Sequence, residues 1–491
     1  MEKSILTENL KNNISLISSK IPSNFNFVKR DLVLKGNIKC TLLYINGLAN
    51  QDYIEQGIIY PLLFKIEENL ENNINLPKYI SERYISCYDC KIVKELLTIC
   101  YSLKHGKCVI LIDNNDSCLI CNTTGGSYRN ITISNIENTI KGGKDSFIES
   151  LEINLALLQQ RFKNDYFKIE NYVLGIDSQK DVLLMYVDNI VDHKLLNQIR
   201  EKLKSISLPY LGSVDYIAQC FQTTKLNILP QSKTTEKPDK VVSDLLHGKV
   251  AIMMDGCPQV LIVPAVFIEF FQSVEDYSDE LPLANFIRIL RILATFIVLT
   301  ISPVYLTLLE YNAALLPLPL IKILINSRLG IPLSPFLEVL SMELIIEFLR
   351  EGGLRLPFPI GQTLGIVGGI VLGEAATKAG LVSNVTLVIV SINVISTFII
   401  PNYDATLSIR FLRFPLLILT KLFGFLGLIL GLYFLFLHLI SMDSFGIPYF
   451  TPFAPIRGSH LEDSAIRGPL NDLNKGQNLF KFTKNKGNKN E

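Results

Sequence analysis

The pattern of apolar and polar positions changes near Leu281. Before this point, strand-length apolar runs such as the one from Cys40 are mixed with helix-length runs such as the one from Cys90, which is typical of α/β layers. Between Leu281 and Ser441, successive apolar runs are long enough to cross a bilayer. The pattern predicts an α/β soluble amino-terminal region followed by an α-helical multi-pass membrane domain.

The same pattern gives a first division into domains. We expect residues 1–23 to be a mobile polar lead, 24–163 a first α/β cytoplasmic subdomain with a linker helix, 164–280 a second such subdomain, 281–441 a transmembrane helical domain of about four to six segments, and 442–491 a Pro-rich and then basic cytoplasmic tail. The obvious crossings add up to an odd number, which would leave the tail outside. One apolar run is therefore expected to re-enter or to be doubled.

The positions of four arginines and the composition of the first residues predict how the chain is oriented in the membrane. Arg288 and Arg291 lie at the mouth of the first apolar span, which runs from about Phe286 to Leu309, and Arg410 and Arg413 precede the last apolar run. Both of these ends are therefore predicted to be cytoplasmic by the positive-inside bias. The first twenty residues or so are polar, without the apolar core of a signal peptide. The amino-terminal domain is therefore predicted to lie in the cytoplasm.

An internal similarity links the two halves of the soluble region. HGKCVILIDNNDSCLI from His105 and HGKVAIMMDGCPQVLI from His247 have the same residue at seven matching positions, which predicts a duplicated strand-turn-strand unit. Asp113 and Asp255 begin the predicted turns, where Asp is favoured. The alternative is that these aspartates are catalytic acids with the histidines as bases. A repeated hairpin explains both pairs, so we predict no catalytic residues and no enzyme activity.

Four glycines follow one another at every fourth position in an apolar run: Gly361, Gly365, Gly369 and Gly373. This spacing places them on one face of a helix. Small residues let helices approach closely in lipid, where no hydrophobic force brings helices together. The four glycines are therefore predicted to be a helix-packing face.

Three carboxylates in the apolar region are candidates for lining a pore. Glu343 and Glu347 lie four residues apart on one predicted helical face, and Glu374 lies next to the glycine face. A carboxylate at membrane depth faces protein or water rather than lipid. The alternatives are an interfacial helix with a solvated acidic face for the first two and snorkelling to the interface for Glu374.

Composition excludes several functions. The net charge is +1 and no basic patch is interleaved with aromatic residues, so nucleic acid is not an expected partner. Nine cysteines, an odd number, fit reduced thiols better than a disulfide framework. The Cys-x-x-Cys pairs Cys87/Cys90 and Cys118/Cys121 are too far apart in sequence for a usual zinc site. We therefore predict free thiols, no metal and no cofactor.

Four long stretches of the chain resemble a known family. They are HGKVAIMMDGCPQVLIVPAVFIEFFQSVEDY, LRLPFPIGQTLGIVGGIVLGEAATKAGLVS, FIIPNY and FGIPYFTPFAP. In this order they closely resemble the A subunits of spore germinant receptors, the GerABKA family typified by GerAA and GerKA. The resemblance extends from about Asn24 to about Pro455.

This resemblance implies a multi-pass protein of the spore inner membrane that works with a transporter-like B subunit and a lipoprotein C subunit. It also implies a homo-oligomeric, nutrient-gated cation channel whose opening starts spore germination, and two α/β subdomains in the amino-terminal region. A secondary transporter is the alternative function, although the membrane region lacks the related halves that transporters tend to have. A membrane enzyme would need converging titratable groups, and only the turn aspartates were candidates.

Overall fold

The computed structural model describes residues 5–21, 26–68, 70, 75–87, 89–123, 137, 143–222, 227–356, 369, 373–456 and 463–469. The described chain divides into two compact units. The sheet unit contains the residues up to 222 together with 232–264, and the helix unit contains 227–231 together with 265–469. The prediction of an α/β region followed by a helical region is confirmed.

The sheet unit is built on two five-stranded antiparallel sheets. The first contains β1 (Phe27–Leu34), β2 (Ile38–Ile45), β3 (Cys90–Val93), β4 (Cys108–Ile112) and β5 (Cys118–Cys121), in the order β1-β2-β4-β5-β3. The second contains β6 (Phe167–Leu174), β7 (Lys180–Val187), β8 (Lys233–Thr235), β9 (Val250–Met254) and β10 (Val260–Val263), in the order β6-β7-β9-β10-β8. The two sheets therefore have the same strand order.

Eight α-helices accompany the sheets in the described part of this unit. They are α1 (Leu10–Lys20), α2 (Gln51–Ile54), α3 (Leu76–Arg83), α4 (Leu96–Lys104), α5 (Leu151–Arg161), α6 (His193–Lys204), α7 (Val214–Phe221) and α8 (Pro238–Leu246). Two π-helical segments, Glu55–Ile59 and Pro61–Lys65, continue α2.

The central strands of the first sheet are buried on both faces. In β4, Cys108, Ile110 and Ile112 belong to one apolar core, while Val109 and Leu111 belong to the core on the opposite face. Strands covered on both sides are expected to be continuously apolar rather than alternating. This explains why β4 (CVILI) and β5 (CLIC) contain no charged residue.

The two similar sequence stretches form the hairpins β4-β5 and β9-β10. His105 and His247 each follow a helix and place Nδ1 2.7 Å from the carbonyl oxygen four residues earlier. Asp113 and Asp255 begin the turns, and their backbone N–H groups donate to Lys39 and Asp181 at 2.9 Å. All four residues therefore have structural contacts that explain them without a catalytic role.

Helices α1 and α5 occupy matching places ahead of the two sheets. Asn13 in α1 binds the backbone N–H and C=O of Thr7, and Asn154 in α5 binds the same groups of Ile148. Ile17 of α1 is fully buried. The segment expected to be a mobile polar lead is thus a packed helix, and the helix expected to be a linker makes the contacts of α1.

Among its described residues, the helix unit contains the α-helices α9 (Glu275–Ser278), α10 (Leu281–Glu310), α11 (Leu318–Arg328), α12 (Pro335–Arg355), α13 (Asn384–Phe398) and α14 (Tyr403–Ser441). Residues 373–378 are also helical. Within the part of the chain that the structure describes, α10 and α14 are long and apolar enough to cross a membrane. A two-stranded hairpin, β11 (Asp443–Ser444) with β12 (Ile447–Pro448), follows α14.

Helix α14 folds back on itself at Gly424. This residue has φ 60° and ψ −139°, which is not helical. A Cβ at Gly427 would lie 2.1 Å from the carbonyl oxygen of Leu419, and a Cβ at Gly431 would lie 2.4 Å from Leu416 Cδ2. In a straight helix these pairs would be roughly 12 Å and 22 Å apart along the axis. Residues 403–423 and 425–441 are therefore two antiparallel arms, and this apolar run is doubled.

The chain after the second arm returns to the start of α10. Arg288 donates to Asp463 and Asp276, both at 2.9 Å. Arg467 donates to the carbonyl oxygen of Asp276 at 2.6 Å, and its own N–H donates to Asn285. These contacts hold residues 463–467 beside the amino-terminal end of α10.

Candidate functional site

Glu343 of α12 lies in a polar cluster with residues from three other helices of the helix unit. Its side chain is fully buried. Ser302 Oγ of α10 and Asn393 Nδ2 of α13 donate to Glu343 Oε1 at 2.6 Å and 3.0 Å. Arg413 Nε of the first arm of α14 lies 3.3 Å from Glu343 Oε2. Four helices therefore meet at this carboxylate.

Glu347 lies one turn further along α12 and contacts three arginines. Arg413 Nη2 donates to Glu347 Oε1 at 2.8 Å, and Arg410 makes two contacts with the same carboxylate. Arg350 Nη1 lies 3.6 Å away and also donates through Nη2 to Thr397. Arg413 thus bridges the two glutamates. The bidentate pair of Arg410 with Glu347 fixes the position of the first arm of α14 relative to α12.

The charged cluster is formed by Glu343, Glu347, Arg350, Arg410 and Arg413. It contains two carboxylates and three guanidinium groups, and Arg413 is only 2% exposed. Arg413 also lies midway between Tyr403 and Gly424 along the first arm. Charges inside an apolar helical bundle are costly unless they pair, and they usually mark function. This cluster is therefore the candidate functional site.

Glu338, at the amino-terminal end of α12, is a third buried carboxylate. It is fully buried, it accepts from the backbone N–H of Ser383, and Arg328 Nη1 lies 3.3 Å from its Oε2. Ser383 also caps α13 by accepting from the N–H of Thr386. This pair therefore joins the starts of α12 and α13 to the end of α11.

The third sequence-predicted carboxylate lies elsewhere. Glu374 has a side chain that is 64% exposed and pairs with Lys378 one turn later at 3.1 Å. It is not part of the charged cluster. Of the three candidates, Glu343 and Glu347 are brought together, while Glu374 lies on an exposed helical surface.

The glycine face is described only in part. Gly361 and Gly365 lie outside the described residues, whereas Gly369 and Gly373 are helical. A Cβ at Gly369 would meet no atom of the described residues within 4 Å, and one at Gly373 would be 3.7 Å from Leu387. Gly369 therefore leaves room for another surface.

Sequence reasoning missed the arginine side of the site. Arg410 and Arg413 were interpreted as marking the cytoplasmic start of the last apolar run, but they lie inside α14, which begins at Tyr403 after the cap Asn402. The signal that could have found them is the presence of charges within an apolar helix. Among the described residues, no group of His, Cys, Asp or Glu could hold a metal ion.

Comparison with known proteins identifies the family. The family model for the Bacillus/Clostridium GerA spore germination protein matches residues 14–479. Spore germination protein KA of Bacillus subtilis is 33% identical over 467 residues, covering 95% of this chain and 85% of the relative. Spore germination protein A1 of the same species is 32% identical over 478 residues, covering 97% and 98%.

A solved structure also matches the chain. The crystal structure of the N-terminal domain of the A subunit of the Bacillus megaterium spore germinant receptor GerK3 is 26% identical, with a TM-score of 0.41, and the match covers 54% of this chain and 99% of that one. The family model and both of these relatives are described as germination proteins rather than as enzymes. The chain belongs to the Bacillus/Clostridium GerA family of spore germination proteins, the A subunits of germinant receptors.

Proposed function

We propose that this chain is the A subunit of a nutrient germinant receptor and forms, as a homo-oligomer in the spore inner membrane, a nutrient-gated cation channel. The observation that carries the proposal is the space beside Gly369, which belongs to the run of four glycines at every fourth position and where an added Cβ would meet no described atom of the same chain. A helix with small residues on an open face is suited to packing against a neighbouring subunit.

The helix unit supports the multi-pass arrangement that we propose. Helix α10 and the two arms of α14 supply three segments, and the arms of 21 and 17 residues would be about 31 Å and 26 Å long. These lengths are close to the thickness of a bilayer core, about 30 Å. The doubled run supports a tail on the side where α10 begins, which we propose to be the cytoplasm.

The exposed Glu374 is the best placed of the acidic candidates to face a path shared between subunits. Its side chain pairs only along its own helix among the contacts described. For Glu343 and Glu347, pore lining requires an open state that separates them from the arginines they contact here. We propose that the charged cluster holds the closed arrangement of α10, α12, α13 and α14.

Two further parts of the proposal concern the sheet unit and the partners. The common strand order and the matching Asn13 and Asn154 contacts support a duplicated α/β unit. We propose that this unit couples the membrane domain to the cytoplasmic side, and that the nutrient is sensed by a transporter-like B subunit accompanied by a lipoprotein C subunit.

The first experiment is the stoichiometry of the purified full chain in detergent, by native mass spectrometry or particle imaging. We expect a closed ring of several copies. Gly369→Leu should prevent ring formation, whereas Gly353→Leu, at a helical glycine whose Cβ would also meet no described atom within 4 Å, should not. A stable monomer of the unmodified chain would overturn the channel proposal.

The second experiment measures monovalent cation flux in liposomes that hold the chain with its B and C subunits. Glu374→Gln should lower the flux several-fold while the complex stays intact, because the local negative potential that attracts cations is lost. Glu351→Gln is the matched control, since Glu351 is also exposed and pairs with an arginine one turn later. Equal flux in both variants would remove Glu374 from the path.

A further inference from the structure

Three thiols of the first sheet meet at the edge formed by β3. Cys90 of β3 lies directly opposite Cys121 of β5, which in turn lies opposite Cys108 of β4. Cys90 Sγ and Cys121 Sγ are 3.3 Å apart. Cys87, three residues before Cys90, donates through Sγ to the carbonyl oxygen of Asn122, the residue after Cys121, at 3.8 Å. Cys121 therefore has one neighbouring thiol on its partner strand and a second in the segment that leads to that strand.

The backbone geometry suits a covalent bridge. Residues directly opposite each other in an antiparallel pair have Cα atoms about 4.5 to 5.5 Å apart. A disulfide needs a Cα separation of about 4.4 to 6.8 Å. Strand β3 is also at the edge of its sheet and is only partly buried. Small shifts of Cys87 or Cys90 toward Cys121 can therefore occur without displacing the core strands.

The thiols of this region differ in reactivity. The hydrogen bond from Cys121 outweighs the effect of burial and lowers the pKa of Cys87 to about 7. Cys87 is also partly exposed. Burial instead raises the pKa of Cys40 and of Cys118 to about 12. Because the thiolate is the reactive form, Cys87 is the thiol that can react first near neutral pH.

Other groups near Cys87 modify this behaviour without reversing it. Tyr53 hydrogen-bonds to the Cys87 sulfur and favours the thiolate, while the charge of Asp89 disfavours it. Cys90 shares the hydrogen bond of Cys121, which lowers the pKa of Cys90 as well. The cluster therefore combines a partly exposed nucleophilic thiol, Cys87, bonded to the residue after Cys121, with a second thiol, Cys90, in contact with Cys121.

We propose that Cys87, Cys90 and Cys121 form a peroxide-reactive dithiol site in the sheet unit. The Cys87 thiolate attacks one oxygen of hydrogen peroxide, the O–O bond breaks, and hydroxide leaves and takes a proton from solvent. Cys87 is then a sulfenic acid. The Cys121 sulfur attacks the Cys87 sulfur, an S–S bond forms, and the hydroxyl leaves as water with the Cys121 proton. Two thiols lose two electrons, and the peroxide becomes two waters.

Cys90 gives the oxidised site a second stable form. Its thiolate, 3.3 Å from Cys121, can attack Cys121, displace the Cys87 thiolate and leave the bridge between the paired strands. Either bridge joins the edge strand β3 or the segment just before it to β5. Whether the edge strand β3 is covalently attached to β5 then depends on the redox state of the site.

The test uses the purified full chain in detergent, treated with hydrogen peroxide, quenched with an alkylating reagent and mapped without reduction. Chymotrypsin can cleave after Tyr88, which separates Cys87 from Cys90. We expect a peptide that joins Cys121 to Cys87 or Cys90. Cys220 is an exposed thiol whose pKa is raised by partial desolvation. We expect it to remain reduced, and therefore alkylatable, at the same peroxide dose.

Two variants and a pH series separate this reaction from nonspecific oxidation. Cys87→Ser should abolish the bridge between Cys87 and Cys121 and slow the formation of the bridge between Cys90 and Cys121, while Cys220→Ser should leave both unchanged. In Cys90→Ser combined with Cys121→Ser, which removes both neighbouring thiols, Cys87 should stop at the sulfenic acid and be trapped by a dimedone reagent. The bridging rate should fall about tenfold per pH unit below about pH 7, as the thiolate fraction does. Oxidation of Cys220 as fast as Cys87, or the absence of any bridge to Cys121, would overturn the proposal.

Discussion

Gly431 lies against Leu416 although fifteen residues separate them, with Leu416 Cδ2 only 2.4 Å from the position that a Cβ on Gly431 would take. This relationship exists because Gly424 adopts a positive φ that reverses the direction of α14. Gly424 itself packs against the ring of Tyr311, 3.1 Å from its virtual Cβ. The three glycines of this segment therefore have distinct tasks, one at the reversal and two at the contact between the arms.

Gly431→Leu should separate the arms and destabilise the helix unit by about 1–3 kcal/mol or more, because a large side chain would overlap Leu416. The measurement is the thermal unfolding midpoint of the purified full chain in detergent. Gly353→Leu is the control, since its Cβ would meet no described atom within 4 Å.

A cross-link provides an independent check of the same arrangement. Leu412 and Leu435 pack in one apolar cluster, so Leu412→Cys combined with Leu435→Cys should become bridged on mild oxidation. An unbridged double variant, with Gly431→Leu as stable as Gly353→Leu, would show that α14 is a single extended helix in detergent.

Arg413→Met should destabilise the helix unit by about 3–5 kcal/mol, because it leaves the buried Glu343 without the guanidinium that faces it. Adding Glu343→Gln should restore part of the loss, since the uncompensated charge is then gone. Unfolding midpoints of the two single variants and the double variant give the coupling between the residues. Strictly additive effects would contradict the buried pair, and the exposed pair of Glu351 and Arg355 supplies a control near zero.

The sequence was informative where local pattern decides structure. Strand-length apolar runs and turn residues predict the hairpins that follow His105 and His247. The length of the apolar runs likewise predicts the start of the helical region at Leu281. All of these are local signals. The partners of Arg413 could not be predicted, because Glu343 and Glu347 are 70 and 66 residues away and nothing local identifies them. The reversal at Gly424 could not be predicted either, since a glycine that reverses a helix and one that packs against a neighbour look the same in sequence.

Asp244→Asn should weaken the sheet unit at neutral pH by about 3–5 kcal/mol. Asp244 accepts from Lys249 at 2.8 Å and from Lys233 at 2.9 Å. Burial opposes ionisation, but the two lysines outweigh it and hold the pKa of Asp244 below its ordinary value. The ionised carboxylate therefore stabilises the fold above the unfolded pKa of about 3.9, and this contribution is lost as the pH falls toward the folded pKa.

The pH dependence distinguishes this ion pair from simple packing. The difference in the free energy of unfolding between the unmodified chain and Asp244→Asn should be constant above about pH 5 and shrink below about pH 4. Glu82→Gln, at an exposed pair with Lys78, should produce little change at any pH. A difference that stays the same down to pH 2 would mean that Asp244 acts through its shape rather than its charge.

Arg467→Ala should release residues 463–469 from the start of α10. Its Nη1 donates to the carbonyl oxygens of Asp276 and Asp279 at 2.6 Å and 3.0 Å, and its guanidinium lies over the ring of Tyr277. These buried groups would lose their donor, which costs about 1–3 kcal/mol. Amide hydrogen exchange of residues 463–469 should become faster by roughly tenfold or more, since 1.4 kcal/mol corresponds to a factor of ten.

The same exchange experiment tests whether the segment is held by specific contacts or by its general surroundings. Asp463 accepts from Arg288 and Tyr277, so Asp463→Asn should also accelerate exchange, because a neutral amide binds a guanidinium more weakly than a carboxylate does. Arg355→Ala, which removes an arginine that is 79% exposed, should leave the exchange unchanged. If the amide hydrogens of residues 463–469 exchange at the same rate in all three variants, the arginine contacts at the start of α10 do not hold the chain that follows α14. The segment is then retained by its apolar neighbours.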